Sequence, residues 1–255
     1  MPKVFNWFTC GSPYEEVAHT NAATFAKAGS SQNCLGISGG TDWVANCNLK
    51  PKVALKILGE VAPGEGILLL DADATIEQPI PWIELVGRNN EGPCFAYVLH
   101  HKPSGAREVL SGTLWITRTT ECRLLLESWL GECDSNPKSW DQRSLAKVIG
   151  STPPSKGGRT INELDWKWAW IEGVSDRPRS GAYIVHHQMS RQVRGIEALR
   201  DSKEKERENF SKPAEQASPP KGSGKGAGAG KGKGKPAVQP ADDCPGTESA
   251  PGIRS

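Results

Sequence analysis

Residues 67–75 read ILLLDADAT, four aliphatics running straight into two carboxylates that are one residue apart. Along an extended segment side chains alternate, so Asp71 and Asp73 share a side and converge just past the carboxyl end of the strand that the aliphatic run predicts. Two carboxylates held together repel one another unless a cation lies between them. Hard oxygen ligands select Mg²⁺ or Mn²⁺, ions usually shared with the phosphates of a substrate. The same two acids also suit a strand exit without metal, as turn residues with Thr75 closing an Asx-type turn. Far along the chain stands His186-His187, where alternation lets only one ring face such a site. Ser139-Trp140-Asp141-Gln142 has the S-x-x-Q form of a capping box, with an acid in the first helical turn.

The elements that position these groups follow from periodicity. KVFNWFT (3–9) reads as a strand that breaks at Cys-Gly-Ser-Pro, and YEEVAHTNAATFAKAG (14–29) as a helix with Val17, Ala22, Phe25 and Ala26 on its apolar side. CLGIS (34–38) is a second strand, KPKVALKILGEVA (50–62) a helix begun near Pro51, and GILLL (66–70) a strand covered on both faces. Such alternation of strands and helices implies a parallel sheet, whose carboxyl-end edge is where ligands sit. CFAYVLHH (94–101) and VLSGTLWIT (109–117) are further strands, and TECRLLLESWLG (120–131) is a helix ending near Gly131. SWDQRSLAKVIG (139–150) is another helix, and AYIVHHQMSR (182–191) a final strand. LDWKWAWIEG (164–173) alternates strictly, which sets Trp166, Trp168 and Trp170 on one side of a strand, as buried packing or as a platform for a sugar.

Composition divides the 255 residues in two. Residues 1–201 hold enough apolar side chains, including nine tryptophans, for a sizeable core, and carry 21 basic against 22 acidic residues. Residues 202–255 hold ten basic and seven acidic residues, with Phe210, Val238 and Ile253 as their only large apolar side chains. That stretch cannot bury enough surface to offset chain entropy and is expected to be a disordered Lys/Gly/Pro-rich tail. Its KGSGKGAGAGKGKGK tract (221–235) is a flexible linker, or a weak and salt-sensitive contact for polyanions such as nucleic acid. Seven scattered cysteines without a CxxC pair argue against a disulfide scaffold or zinc module, and a reducing cytosol is the expected setting. No segment approaches the length of apolar run that a membrane span requires. The expected setting is cytoplasmic, in a bacterium or a phage-infected host.

D-A-D-A-T after an apolar strand resembles two families. One is the haloacid-dehalogenase-type phosphohydrolases, whose leading Asp is a nucleophile. There the strand usually opens the domain and a downstream acidic pair completes the metal site. Here about 60 residues come first and the only Asp-Asp pair, Asp242-Asp243, lies in the tail, so this remains the alternative. The other is the glycosyltransferases with the GT-A fold, whose D-x-D holds a divalent cation against a nucleotide-sugar. That resemblance spans roughly residues 4–191. The first-strand loop T-x-G-[ST]-P-Y-E is matched by Thr9, Gly11, Ser12, Pro13, Tyr14 and Glu15. Lys50-Pro51 stands ahead of D-x-D, Ser111-Gly112 opens an S-G motif, Trp140-Asp141-Gln142 matches W-D-Q, and His186, Ser190 and Arg191 match H-x-x-S-R.

The resemblance implies a single three-layer α/β/α GT-A (nucleotide-diphospho-sugar transferase-like) domain over 1–201 with a mostly parallel mixed sheet. It implies a hexosyltransferase-like enzyme that moves a sugar from a nucleotide-sugar, with a UDP-sugar the expected donor, to an acceptor hydroxyl. Asp71, Asp73 and His186 would hold Mn²⁺ or Mg²⁺, with His187 the alternative ring. Thr9, Gly11, Tyr14, Lys50, Asp71, Ser111, Gly112 and Arg191 would bind the donor. Asp141 and Gln142 would face the sugar, orienting the acceptor or stabilising the oxocarbenium-like centre. Relatives with D-Q mostly retain anomeric configuration, so retention is the preferred outcome. Arg143 departs from the second acid that many relatives carry there. The G-x-G-T-R loop of sugar nucleotidyltransferases is missing from TCGSPYEE. The acceptor stays open among glycan, lipid, protein and nucleic acid, and a non-catalytic binding module working through the tail is a third possibility.

Overall fold

The computed structural model describes residues 2–40, 42–87, 92–102, 104–152 and 161–189. Ser190, Arg191, the 221–235 tract and the rest of 202–255 lie outside the described residues. In chain order the elements are β1 (Lys3–Thr9), α1 (Tyr14–Ala22), a 3-10 turn (Ala23–Ala28), β2 (Cys34–Ile37), α2 (Trp43–Cys47), α3 (Lys50–Gly59), β3 (Gly66–Asp71), β4 (Ala74–Ile76) and α4 (Trp82–Val86). Then follow β5 (Phe95–His101), β6 (Arg107–Thr117), α5 (Thr120–Ser135), α6 (Asp141–Ser151), β7 (Ile161–Leu164), β8 (Trp170–Ile171) and β9 (Ile184–His186). Local chemistry marks the helix starts. Asp42 accepts from the Ala45 N–H at α2, Thr119 accepts from the Cys122 N–H at α5, and Pro51 occupies the first turn of α3, where a missing N–H costs nothing.

Six strands form one sheet in the order β2-β1-β3-β6-β5-β7, and three of its five pairings are parallel. Because β1 and β3 are covered on both faces, their residues divide by parity. Phe5, Trp7, Ile67 and Leu69 pack with Val53, Ile57, Leu126, Trp129 and Leu145 of α3, α5 and α6. Val4, Leu68, Leu70 and Trp115 face the opposite layer, with Phe25, Ile76, Leu85, Trp168 and Ile184. That second layer is mixed. Alongside α1 and α4 it contains a three-stranded sheet, β4-β9-β8, in which β9 runs antiparallel to β4 and parallel to β8.

Several expected elements differ from those observed. The 164–173 run is not one strand: β7 ends at Leu164, Trp166–Trp168 is a 3-10 turn and β8 holds only Trp170–Ile171. Asp165 accepts from the Lys167 N–H to start the turn, and Trp168 is fully buried against Tyr183, so the three indoles do not share a face. Helix α5 passes through Gly131 to Ser135, because Cys133 beyond the glycine is buried in the core. At α6 the residue before the helix is Trp140 and no side chain caps it, so the Ser139 capping box does not form.

Candidate functional site

β3 leaves the large sheet at Asp71, Ala72 and Asp73 make a turn, and the chain joins the small sheet as β4. The two carboxylates therefore converge at the seam of the sheets by a turn instead of by extended alternation. β9 lies antiparallel beside β4 with His186 opposite Ala74, and the His187 N–H donates to the Asp73 carbonyl at 3.1 Å. Alternation along β9 then sorts the histidines. His186 is buried, with Nδ1 3.6 Å from Asp73 Oδ1 and Nε2 2.9 Å from Thr113 Oγ1. His187 turns away, its ring nitrogens contacting Thr75 Oγ1 and Glu172 Oε2. One donor atom from each of Asp71, Asp73 and His186 lies within 4.8 Å of the others.

Gly112 lets this cluster close. On β6 it comes one step beyond the last ladder pair with β3, Leu70–Thr113, and beside a register break between β5 and β6. A Cβ there would stand 2.7 Å from His186 Cε1 and 3.0 Å from Asp71 Oδ2. Burial pushes the Asp71 carboxyl up, more than the Lys50 ammonium lowers it. Burial pushes Asp73 the same way, but the His186 hydrogen bond and charge and the Met189 N–H, which donates to Oδ2 at 3.0 Å, outweigh it and hold Asp73 below the usual carboxylate range. Two carboxylate oxygens and an imidazole nitrogen, one acid incompletely neutralised, fit a Mn²⁺- or Mg²⁺-class ion. With Nδ1 facing the acids, an Nε2–H donated to Thr113 would leave the Nδ1 lone pair free to ligate.

A second arm meets the first at Lys50. This side chain is 5% exposed, and its ammonium lies 2.8 Å from Asp71 Oδ1 and 3.2 Å from Asp141 Oδ2, and donates to the Ser111 carbonyl and hydroxyl at 3.2 and 3.0 Å. Burial would lower its pKa, yet Asp141 and Asp71 raise it further, so Lys50 stays charged. Asp141 is itself buried, faces Lys50 without hydrogen-bond alignment, and has its carbonyl held by Trp129 Nε1 at 2.8 Å. Lys50 thus ties Asp71 of the D-x-D pair to Asp141, the first residue of α6. Next to Asp141, Gln142 donates from Nε2 to Glu108 Oε1 at 2.8 Å.

The first-strand loop approaches the same edge. Thr9 is buried and its carbonyl accepts from the Ser12 hydroxyl and N–H, while Gly11, at φ +70, supplies the left-handed turn and donates to Glu15 at 2.8 Å. The Tyr14 phenol is pushed up to about 12, by burial first and then by negative charge from Asp73 and Asp71. Arg191 lies outside the described residues. Sequence reasoning passed over Thr113 and Glu108; the i+1 position after S-G and the hairpin pairing of β6 were their only signals.

Among solved structures the chain is similar to a glycosyltransferase involved in glycosylation of the major capsid of PBCV-1, with a TM-score of 0.55 at 14% identity over 73% of this chain and 93% of that one. It is also similar to the glycosyltransferase GlyE of Streptococcus pneumoniae TIGR4, with a TM-score of 0.50 at 12% identity over 73% of this chain and 54% of the other. The chain has a GT-A glycosyltransferase fold. No family profile and no curated protein matches the sequence. Within this GT-A fold the acidic pair, His186 and the Lys50-linked arm all sit at the carboxyl ends of β1 and β3, the edge where open α/β sheets bind ligands. No helix among the described residues is long and apolar enough to cross a membrane.

Proposed function

We propose that the protein is a metal-dependent glycosyltransferase that moves a hexose from a nucleotide-sugar, a UDP-sugar by preference, to an acceptor hydroxyl. The observation that carries this reading is the meeting of Asp71, Asp73 and His186 at the binding edge of a GT-A fold. A divalent cation held by these three would oppose the charge that grows on the leaving diphosphate as the glycosidic bond breaks. Thr113 keeps the His186 ring oriented, Lys50 keeps Asp71 and Asp141 in register, and the Thr9–Tyr14 loop is assigned to the base and ribose on the T-x-G-[ST]-P-Y-E resemblance. Arg191 is assigned to the donor phosphates on the H-x-x-S-R resemblance alone. Asp141 and Gln142 face the sugar in this reading. Retention is the preferred stereochemical outcome, on the D-Q resemblance of Asp141-Gln142. The expected setting is cytoplasmic, with residues 1–201 the transferase domain and the Lys/Gly/Pro-rich stretch 202–255 assigned to a weak contact with polyanions.

The test is release of nucleoside diphosphate from a panel of UDP-sugars, with Mn²⁺, Mg²⁺ or EDTA, by wild type and Asp73→Ala. Turnover should need the ion and fall at least ~100-fold in the variant, a loss of ~2.7 kcal/mol of transition-state stabilisation. Release that continues equally in EDTA, or inorganic phosphate as the product, would sink the proposal.

A further inference from the structure

A glutamine amide has two unlike ends, and their orientation follows from what each end touches. Gln142 Nε2 donates to Glu108 Oε1 at 2.8 Å. A carboxylate only accepts, so the amide cannot turn over without setting its carbonyl oxygen against a charged oxygen. Glu108 is itself anchored: Lys102 Nζ stands 2.6 Å from its other oxygen, across the β5–β6 hairpin. Glu108 precedes Ser111 by three residues on β6, so the strand that supplies Ser111 and Gly112 to the site also supplies the group that orients Gln142.

We infer that Glu108 is a positioning residue for Gln142, holding that amide with its carbonyl oxygen turned away from β6 and toward the transferred sugar. The group recognised there is then a hydrogen-bond donor, a hydroxyl of the donor hexose. This rests on the transferase reading, in which Gln142 faces the sugar. A free amide would spend part of its time reversed and would offer an N–H where an acceptor is needed. Misplacement of one such contact costs on the order of 10- to 100-fold in turnover. Glu108 and Lys102 are partly exposed, so their pair adds little to folding.

The experiment compares donor turnover by wild type, Glu108→Ala, Glu108→Gln, Gln142→Ala and the double variant, with melting curves for each. Glu108→Ala should lower kcat ~10- to 100-fold with donor KM within about twofold and little change in Tm. Glu108→Gln should recover part of the loss, because its own carbonyl can still accept from Gln142. The double variant should match Gln142→Ala, as it must if Glu108 acts only through that amide. If Glu108→Ala turns over normally, or its loss multiplies with that of Gln142→Ala, the inference falls while the transferase reading stands. If wild type releases no nucleotide from any sugar donor, the transferase reading itself fails and this inference with it.

Discussion

Replacing Lys50 with methionine keeps the length of the side chain and removes its charge. In the wild type this ammonium is 2.8 Å from Asp71 and 3.2 Å from Asp141 and donates twice to Ser111, with Lys50, Ser111 and Asp141 buried. Removing one member of a buried ionic cluster leaves the others uncompensated, at a cost of ~3–5 kcal/mol. The Asp71 side chain keeps 33% of its exposure and so part of its hydration, whereas that of Asp141 keeps only 6%. The low end applies, about 3 kcal/mol. At ~2–4 °C per kcal/mol for a domain of this size, Lys50→Met should melt ~6–12 °C lower in a calorimetric or circular-dichroism scan at neutral pH. A second arm separates charge from packing. Asp71 then has no ammonium to neutralise it, so Mn²⁺ should raise Tm by more in Lys50→Met than in wild type. A variant that melts within about 2 °C of wild type, or gains no more from Mn²⁺, would refute the view that one lysine neutralises both acids.

Thr113→Val removes the partner of His186 Nε2, and Mn²⁺ affinity by calorimetry should fall ~10–100-fold with the fold intact. Gly112→Ala places a methyl 2.7 Å from His186 and 3.0 Å from Asp71. It should cost ~1–3 kcal/mol in urea unfolding and abolish the Mn²⁺-induced rise in Tm. Burial raises the Cys34 and Cys133 thiols to about 11, so the folded protein keeps those protons longer than the unfolded chain does. Their contribution is whole below the unfolded thiol pKa of ~8.5 and is lost as pH climbs toward 11. Stability measured by urea should therefore fall less steeply over that range in a Cys34→Ser, Cys133→Ser variant, and parallel curves would contradict the assignment.

Much of this was legible in the chain because single-residue physics decided it. Aliphatic runs at 66–70 and 109–117 had to be strands of a covered sheet, and the alternation that admits one ring of His186-His187 is obeyed in β9. The misreadings have equally local causes. Strict alternation in 164–173 gave way to Asp165, whose side chain starts a turn and sends Trp168 alone into the core. Gly131 did not stop α5, since burying Cys133 outweighed the weak helix preference of an exposed glycine. Glu108 falls just outside the strand that the sequence predicts over 109–117, and only the observed β6, Arg107–Thr117, places it beside Gln142. Lys50 carried a visible motif, but its bridge between Asp71 and Asp141 spans three separate segments, a distance that periodicity does not encode.

The pairing of β4 with β9 joins residues more than a hundred positions apart, Ala74 with His186. A ribosome releasing this chain exposes the acids long before the imidazole is made. The nascent protein therefore carries Asp73 without its imidazole partner at an unfinished sheet margin until β9 docks, and a chain cut anywhere before residue 184 lacks His186 of the Asp71–Asp73–His186 cluster.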